Sequence, residues 1–159
     1  MIDGVKIKQL KVHQDIPDVE QPGVKLGFLM EILRADEDIF SKFGQSTMTV
    51  AYKGNIKGFH YHEKQDDYWF AATGKVLIVL HDLRKDSATH GETQVLEAGA
   101  DNYKLVRIPI GVAHGYKVLS DEPVIMIYHA TEPYNAASPD EKRLAYNDPT
   151  INFDWNKYV

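Results

Sequence analysis

The sequence contains no cysteine, which excludes disulfides, thiolate nucleophiles and zinc–thiolate sites and fits a reducing compartment. It also has no run of lysine and arginine, and its formal net charge is −5. Nucleic acid and anionic membrane surfaces are therefore not expected as partners. No apolar stretch approaches the roughly 20 residues needed to span a bilayer. The opening residues 1–4 carry no basic segment leading into an apolar one, so no signal peptide is read and a cytoplasmic protein is expected. Repeats, low-complexity tracts and breaks in composition are missing as well. The 159 residues are read as one domain over 1–159, enough for a single core and too few for two.

What is present is a succession of short runs rich in Val, Ile, Leu and aromatics, separated by Gly, Asn, Asp and Pro. That pattern predicts many strands joined by turns. Candidate strands are 24–33, 46–52, 67–71, 75–82, 94–97, 104–108, 114–119 and 124–128. Strands of this number with short connections predict an all-β sandwich or barrel. Two short helices are also expected. Residues 36–43 open with acidic groups that suit a helix N-terminus, and Ser138-Pro139-Asp140-Glu141 has the spacing of a capping box with proline in the first turn.

The chemistry concentrates in two segments. In the first, His60 and His62 stand two residues apart, which on a strand points both rings to one face. Asp67 follows five residues later, past an expected bend. In the second, Pro109-Ile110-Gly111 feeds a strand that begins at His114. A lone histidine on a strand is usually a satisfied polar residue. Two on one face with a third in a separate segment point instead to a shared pocket.

These segments resemble the two motifs of the cupin superfamily. Gly54 to Gly74 follows G-x5-H-x-H-x4-E-x6-G with Asp67 for the glutamate, and Pro109 to His114 follows P-x-G-x2-H. Tyr103 and Val118 stand where the second motif has its leading glycine and closing asparagine. The resemblance implies a double-stranded β-helix, or jelly-roll barrel, a fold that hosts many unrelated activities. Within it, the chain is similar to the dTDP-4-dehydrorhamnose 3,5-epimerases. Lys57-Gly-Phe-His60-Tyr resembles R-G-L-H-[FY], and Val79 to Ser87 resembles V-A-V-D-[IL]-R-x-x-S. Ile108 to Tyr116 resembles I-P-x-G-F-A-H-G-F, Ile127 to Tyr134 resembles L-Y-K-x-T-x-x-Y, and Asn147 to Trp155 resembles N-D-x-x-I-G-I-x-W. The likeness runs in unbroken order over residues 24–155. It implies an enzyme without a cofactor, forming homodimers, that inverts carbons beside the 4-keto group of a nucleotide-linked deoxysugar. His60 would be the base and Tyr128 the acid, with Lys57, His114 and Tyr134 binding substrate. Taken alone, Tyr128 also reads as one core aromatic among nine tyrosines.

Three positions depart from the family pattern. Asp67 stands where the family has a lysine that stabilises the enolate, a role no carboxylate fills. Lys57 replaces a phosphate-binding arginine and cannot form its bidentate fork. His62 replaces a glutamine, and residues 1–159 contain no S-x-K-D segment to pair an aspartate with His60. The changes at positions 62 and 67 create a possible metal set of His60, His62, Asp67 and His114, suited to one divalent transition ion. A metal coordinated by His60 would, however, remove the base. Three readings follow: an epimerase, a metal-dependent cupin such as a dioxygenase or sugar isomerase, and a non-catalytic sugar-nucleotide binder.

Overall fold

A computed structural model describes residues 1–16 and 23–158. The strands are β1 (Lys6–Gln9), β2 (His13–Gln14), β3 (Phe28–Leu29), β4 (Gln45–Ala51), β5 (Ile56–Tyr61), β6 (Asp67–Ala71) and β7 (Lys75–Asp82), then β8 (Thr93–Gly99), β9 (Lys104–Ile108), β10 (Val112–Val118), β11 (Val124–Ala130) and β12 (Lys142–Arg143). Two five-stranded antiparallel sheets result, in the orders β1-β9-β6-β11-β4 and β12-β5-β10-β7-β8. The small pair β2–β3 stands apart from them.

Alternation explains the layering. Along β6, Trp69 and Ala71 turn inward with Asp67, while Tyr68 and Phe70 turn outward under Leu10, Ile39 and Leu105. Along β7, Val76, Ile78 and Leu80 turn inward, while Leu77 and Val79 face Ile151 and Trp155 of the C-terminal segment. Both strands are covered on both faces, which is why each reads as a near-continuous apolar run. The inward residues of the two sheets meet in one core that also holds Val106, Met126 and Tyr116.

One irregularity sets the geometry of the interior. Between β10 and β5, His114 pairs with His60 but Tyr116 pairs with Lys57, a register shift of one residue. Such a bulge changes which side chains share a face. It turns Phe59 outward onto Trp155 while both Lys57 and His60 stay on the face of Tyr116 and His114. The two backbones touch here: a Cβ on Gly58 would lie 2.6 Å from Gly115 Cα.

The expected helices do not form. Residues 36–43 make two successive turns, with Glu37 N–H donating to Arg34 O and Phe40 N–H to Glu37 O. A segment this short cannot sustain an isolated helix, and Glu37 is drawn away to Lys8, 2.7 Å distant. In 138–141, the Asp140 carboxylate accepts the N–H groups of Glu63 and Lys64 at 3.1 and 3.0 Å, capping another loop rather than its own. Among the described residues the helical element is a 3₁₀ turn at Trp155–Lys157, and no helix is long and apolar enough to cross a membrane. The strand expected over 24–33 shrinks to β3, because Met30, Ile32 and Leu33 pack as loop side chains against the outer cluster.

The turn after β7 is organised by Asp82, whose carboxylate is fully buried. It accepts Nε and Nη2 of Arg84 at 2.8 and 2.7 Å and the hydroxyls of Ser87 and Thr89 at 2.6 Å each. Arg84 in turn donates to Asp3 O at 2.7 Å, fastening the N-terminus. Burial opposes this charge, but the bonds from Arg84, Ser87 and Thr89 outweigh it and hold the carboxyl below the ordinary aspartate range. A depressed pKa stabilises the fold above the unfolded value and ceases to do so as pH falls. Asp82→Asn should therefore cost about 1–3 kcal/mol at pH 7. Urea titrations should find the gap between wild type and variant narrowing below about pH 4; a gap independent of pH would contradict this account.

The bulge gives a second expectation. Gly58→Ala places a methyl against the Gly115 backbone, which has no flexible side chain to yield. We expect a loss of about 1–3 kcal/mol of stability and a larger fractional loss of whatever reaction the cavity performs. A variant as stable and active as wild type would remove the bulge from the argument.

Candidate active site

A cavity of about 560 Å³ opens at one end of the sandwich, with Gln45, Thr47, His62, Asp67, Tyr128 and Tyr134 among its lining residues. Both sheets contribute. Tyr128 is placed by β11, where it pairs with Trp69 on one side and Thr47 on the other. His60 and His114 face each other directly across β5 and β10, so their side chains share the inner face. A run of aromatic contacts joins the two walls. Trp69 meets His114 edge-on with centroids 4.9 Å apart and lies 5.6 Å from Tyr128. His114 stacks with His62 at 5.5 Å and stands 6.5 Å from His60.

Asp67 lies at the floor of this group, 7% exposed. Its Oδ1 accepts Gln65 Nε2 at 2.8 Å, and its Oδ2 accepts Trp69 Nε1 at 3.3 Å. The same Oδ2 lies 3.5 Å from His62 Nε2 and 3.7 Å from His114 Nε2. Behind His62, its Nδ1 stands 3.7 Å from Asp140 Oδ2.

Burial sets different protonation for each group. Burial holds His60 below the ordinary imidazole value, partly offset by the Glu141 carboxylate, so its ring is neutral near pH 7 and free to accept a proton. His62 is also desolvated, but Asp67, Asp140 and Glu141 outweigh that and raise its pKa. Full burial pushes His114 down to about 4. Burial likewise raises Tyr128, with neighbouring Tyr116 adding to the effect, so the phenol keeps its proton well beyond the usual range. Tyr116 Oη itself meets no partner at hydrogen-bonding geometry.

The residues singled out in the sequence therefore fall into distinct places. His62, Asp67, Tyr128 and Tyr134 line the cavity, Tyr134 at the exposed rim with its N–H bonded to Gln45 Oε1 at 2.6 Å. His114 is buried behind Asp67 and His62. Lys57 lies on the inner face but reaches across to β4, where Nζ donates to Thr49 Oγ1 and to Val50 O. The four-ligand metal set does not assemble. Among the described residues, His62, Asp67 and His114 bring ligand atoms within 4.8 Å of one another, and His60 is not in that group. His60 stands at the bulge beside β12, where it pairs with Arg143.

Sequence reasoning missed Glu141, Asp140 and Trp69 as members of the site. The first two arrive through β12 and its loop, a pairing of two residues that leaves no periodic trace. Trp69 was within reach, since it stands two residues from Asp67 on the same strand and must share its face.

Facing antiparallel sheets closed over an interior of imidazoles define a cupin-type jelly roll. Comparison narrows the class: the family model described as dTDP-4-dehydrorhamnose 3,5-epimerase matches residues 2–159, and the chain belongs to that family of isomerases. It is 51% identical over 156 residues to a spore coat polysaccharide biosynthesis protein of Bacillus subtilis, covering 98% of this chain and 97% of the relative. The dTDP sugar isomerase structure from Desulfovibrio desulfuricans superposes with a TM-score of 0.85 at 25% identity, covering 99% of this chain and 94% of that one. The dTDP-6-deoxy-D-glucose-3,5-epimerase of Legionella pneumophila, solved with dTDP-4-keto-L-rhamnose, gives 0.79 at 29% identity over 97% and 79% of the two chains.

Proposed function

We propose that this protein epimerises a nucleotide-linked 4-keto-6-deoxyhexose at one or both carbons flanking the ketone, with His60 as base and Tyr128 as acid. The observation that carries the reading is the disposition of two oppositely prepared groups. An imidazole that burial holds below its ordinary pKa stands on the inner face of one sheet, paired with His114 and outside the cavity's lining residues, and a phenol raised above its ordinary pKa lines the cavity from the other sheet. Inversion needs a proton removed from one face of a carbon and returned to the other, which groups on opposite walls suit.

The carbonyl makes the reaction accessible by acidifying the adjacent C–H bonds. As His60 takes the proton, the C–H electron pair forms the C=C bond of the enolate and the carbonyl pair moves to oxygen. Return of a proton from Tyr128 to the opposite face restores the ketone with inverted configuration, leaving a phenolate and an imidazolium that exchange their proton through solvent. Residues 1–159 hold no S-x-K-D segment to pair with the base; the carboxylates that favour the charged form of His60 are Glu141, which has the larger effect, and Asp67. Lys57 and Tyr134 are assigned to the diphosphate and sugar. The ligand named for the Legionella structure supports this class of substrate.

The test is deuterium incorporation at C3 and C5 of a dTDP-4-keto-6-deoxyhexose in heavy water, followed by mass spectrometry. His60→Ala should lower incorporation by about 10²–10⁴-fold. Tyr128→Phe should retain exchange from the His60 face while product inversion falls by a comparable factor. Undiminished exchange in His60→Ala would reject the base assignment, and undiminished inversion in Tyr128→Phe would reject the acid.

A further inference from the structure

The buried Asp67 carboxylate is surrounded in a way that the epimerase reading does not use. Its Oδ2 lies 3.5 Å from His62 Nε2 and 3.7 Å from His114 Nε2. Both separations exceed the 2.7–3.2 Å of an N–H···O bond. They lie close to the spacing of about 3.4 Å between ligand atoms held roughly 2.1 Å from one tetrahedral ion. A contraction of a few tenths of an ångström would close the group onto a shared centre.

The orientation of the donors is fixed from behind. His114 Nδ1 is 2.9 Å from Val112 O; a carbonyl only accepts, so Nδ1 carries the proton, and in the neutral ring Nε2 then presents its lone pair to Asp67. A lone pair facing a buried carboxylate is repulsive unless something positive stands between them. Gln65 holds Asp67 Oδ1, leaving Oδ2 directed at the two imidazoles. His62 Nδ1 has no hydrogen-bond partner and faces Asp140 at 3.7 Å, while Asp140 is anchored by the N–H groups of Glu63 and Lys64. Backbone carbonyls and carboxylates in this position are what orient metal-ligating imidazoles. Trp69 Nε1, at 3.3 Å from the same Oδ2, is a weak competitor for it.

We propose that His62, Asp67 and His114 bind one divalent first-row transition-metal ion, with an open coordination position facing the cavity. Two imidazole nitrogens and one carboxylate suit such an ion. His60 lies outside the group, so coordination leaves it free to act as base. The role of the site rests on the epimerase reading: the family's enolate-stabilising lysine is replaced by Asp67, and a cation here supplies the missing positive charge at the ketone oxygen.

Binding is read on the resting protein without substrate, so it succeeds or fails independently of the exchange assay. The full chain is stripped with chelator, then dialysed against Zn²⁺, Mn²⁺ or Co²⁺ and measured by elemental analysis, the Co²⁺ form also by visible absorption. We expect about one ion per chain for at least one metal, a raised Tm on loading, and occupancy reduced roughly tenfold or more in His62→Ala and in the near-isosteric Asp67→Asn. Absence of stoichiometric binding to the folded wild-type chain would overturn the site, as would occupancy unchanged in both variants. Deuterium exchange unaffected by stripping but abolished in Lys64→Ala, the lysine on the cavity wall, would assign the charge to Lys64 and overturn the role of the ion. Metal bound as expected with no exchange in any form would uphold the site and reject the epimerase reading instead.

Discussion

The close approach of β5 and β10 at Gly58 and Gly115 is the constraint on which the interior depends. Without a side chain at either position the two backbones meet, one strand gains a residue over its partner, and the inward face is re-aimed within a single turn of the chain. A regular ladder would have placed Lys57 and His60 on opposite faces, since they are three residues apart. The bulge puts both inward and sends Phe59 outward, where it closes the C-terminal segment onto the sheet. One local irregularity thus serves the cavity and the outer core together. This use of a bulge beside a functional pocket is a common one.

Around that frame, burial rather than residue type decides what each ionisable group does. Three histidines within a few ångströms hold three different relations to their protons: His60 is lowered by desolvation, His62 is raised by two aspartates, and His114 is lowered furthest at full burial. Asp67 is opposed by burial, but its pKa is lowered all the same, with His62 beside it and the Gln65 amide bonded to it compensating its lost hydration. Removing one partner from such a cluster leaves an uncompensated charge. The members are therefore energetically interdependent, and replacing one histidine alters the titration of its neighbours.

Much of this could be read from the chain because it is local. The parity of His60 and His62, the turn before His114 and the long apolar run of β7 are short-range patterns, and motif order brought the two histidine segments together. The limits are equally physical. Strands β1 and β12 carry mixed polar residues and exist only because a sheet edge pairs with them. Acidic residues at 36–38 and 140–141 look like helix starts, but Glu37 answers to Lys8 and Asp140 to the N–H groups of another loop. His60 lies outside the metal set although it pairs with His114 on the same face, a difference in reach that residue spacing cannot encode.

The two groups assigned to move protons belong to different layers, His60 to one sheet and Tyr128 to the other. Their separation is then a property of intersheet packing, normally about 10 Å in face-to-face sheets, and not of either strand. Residues such as Val106, Met126 and Ile78, which lie in the shared core and not among the cavity's lining residues, act as the spacers that set this gap. A methylene gained or lost between the layers would thus change the distance between the proposed base and acid without altering either strand.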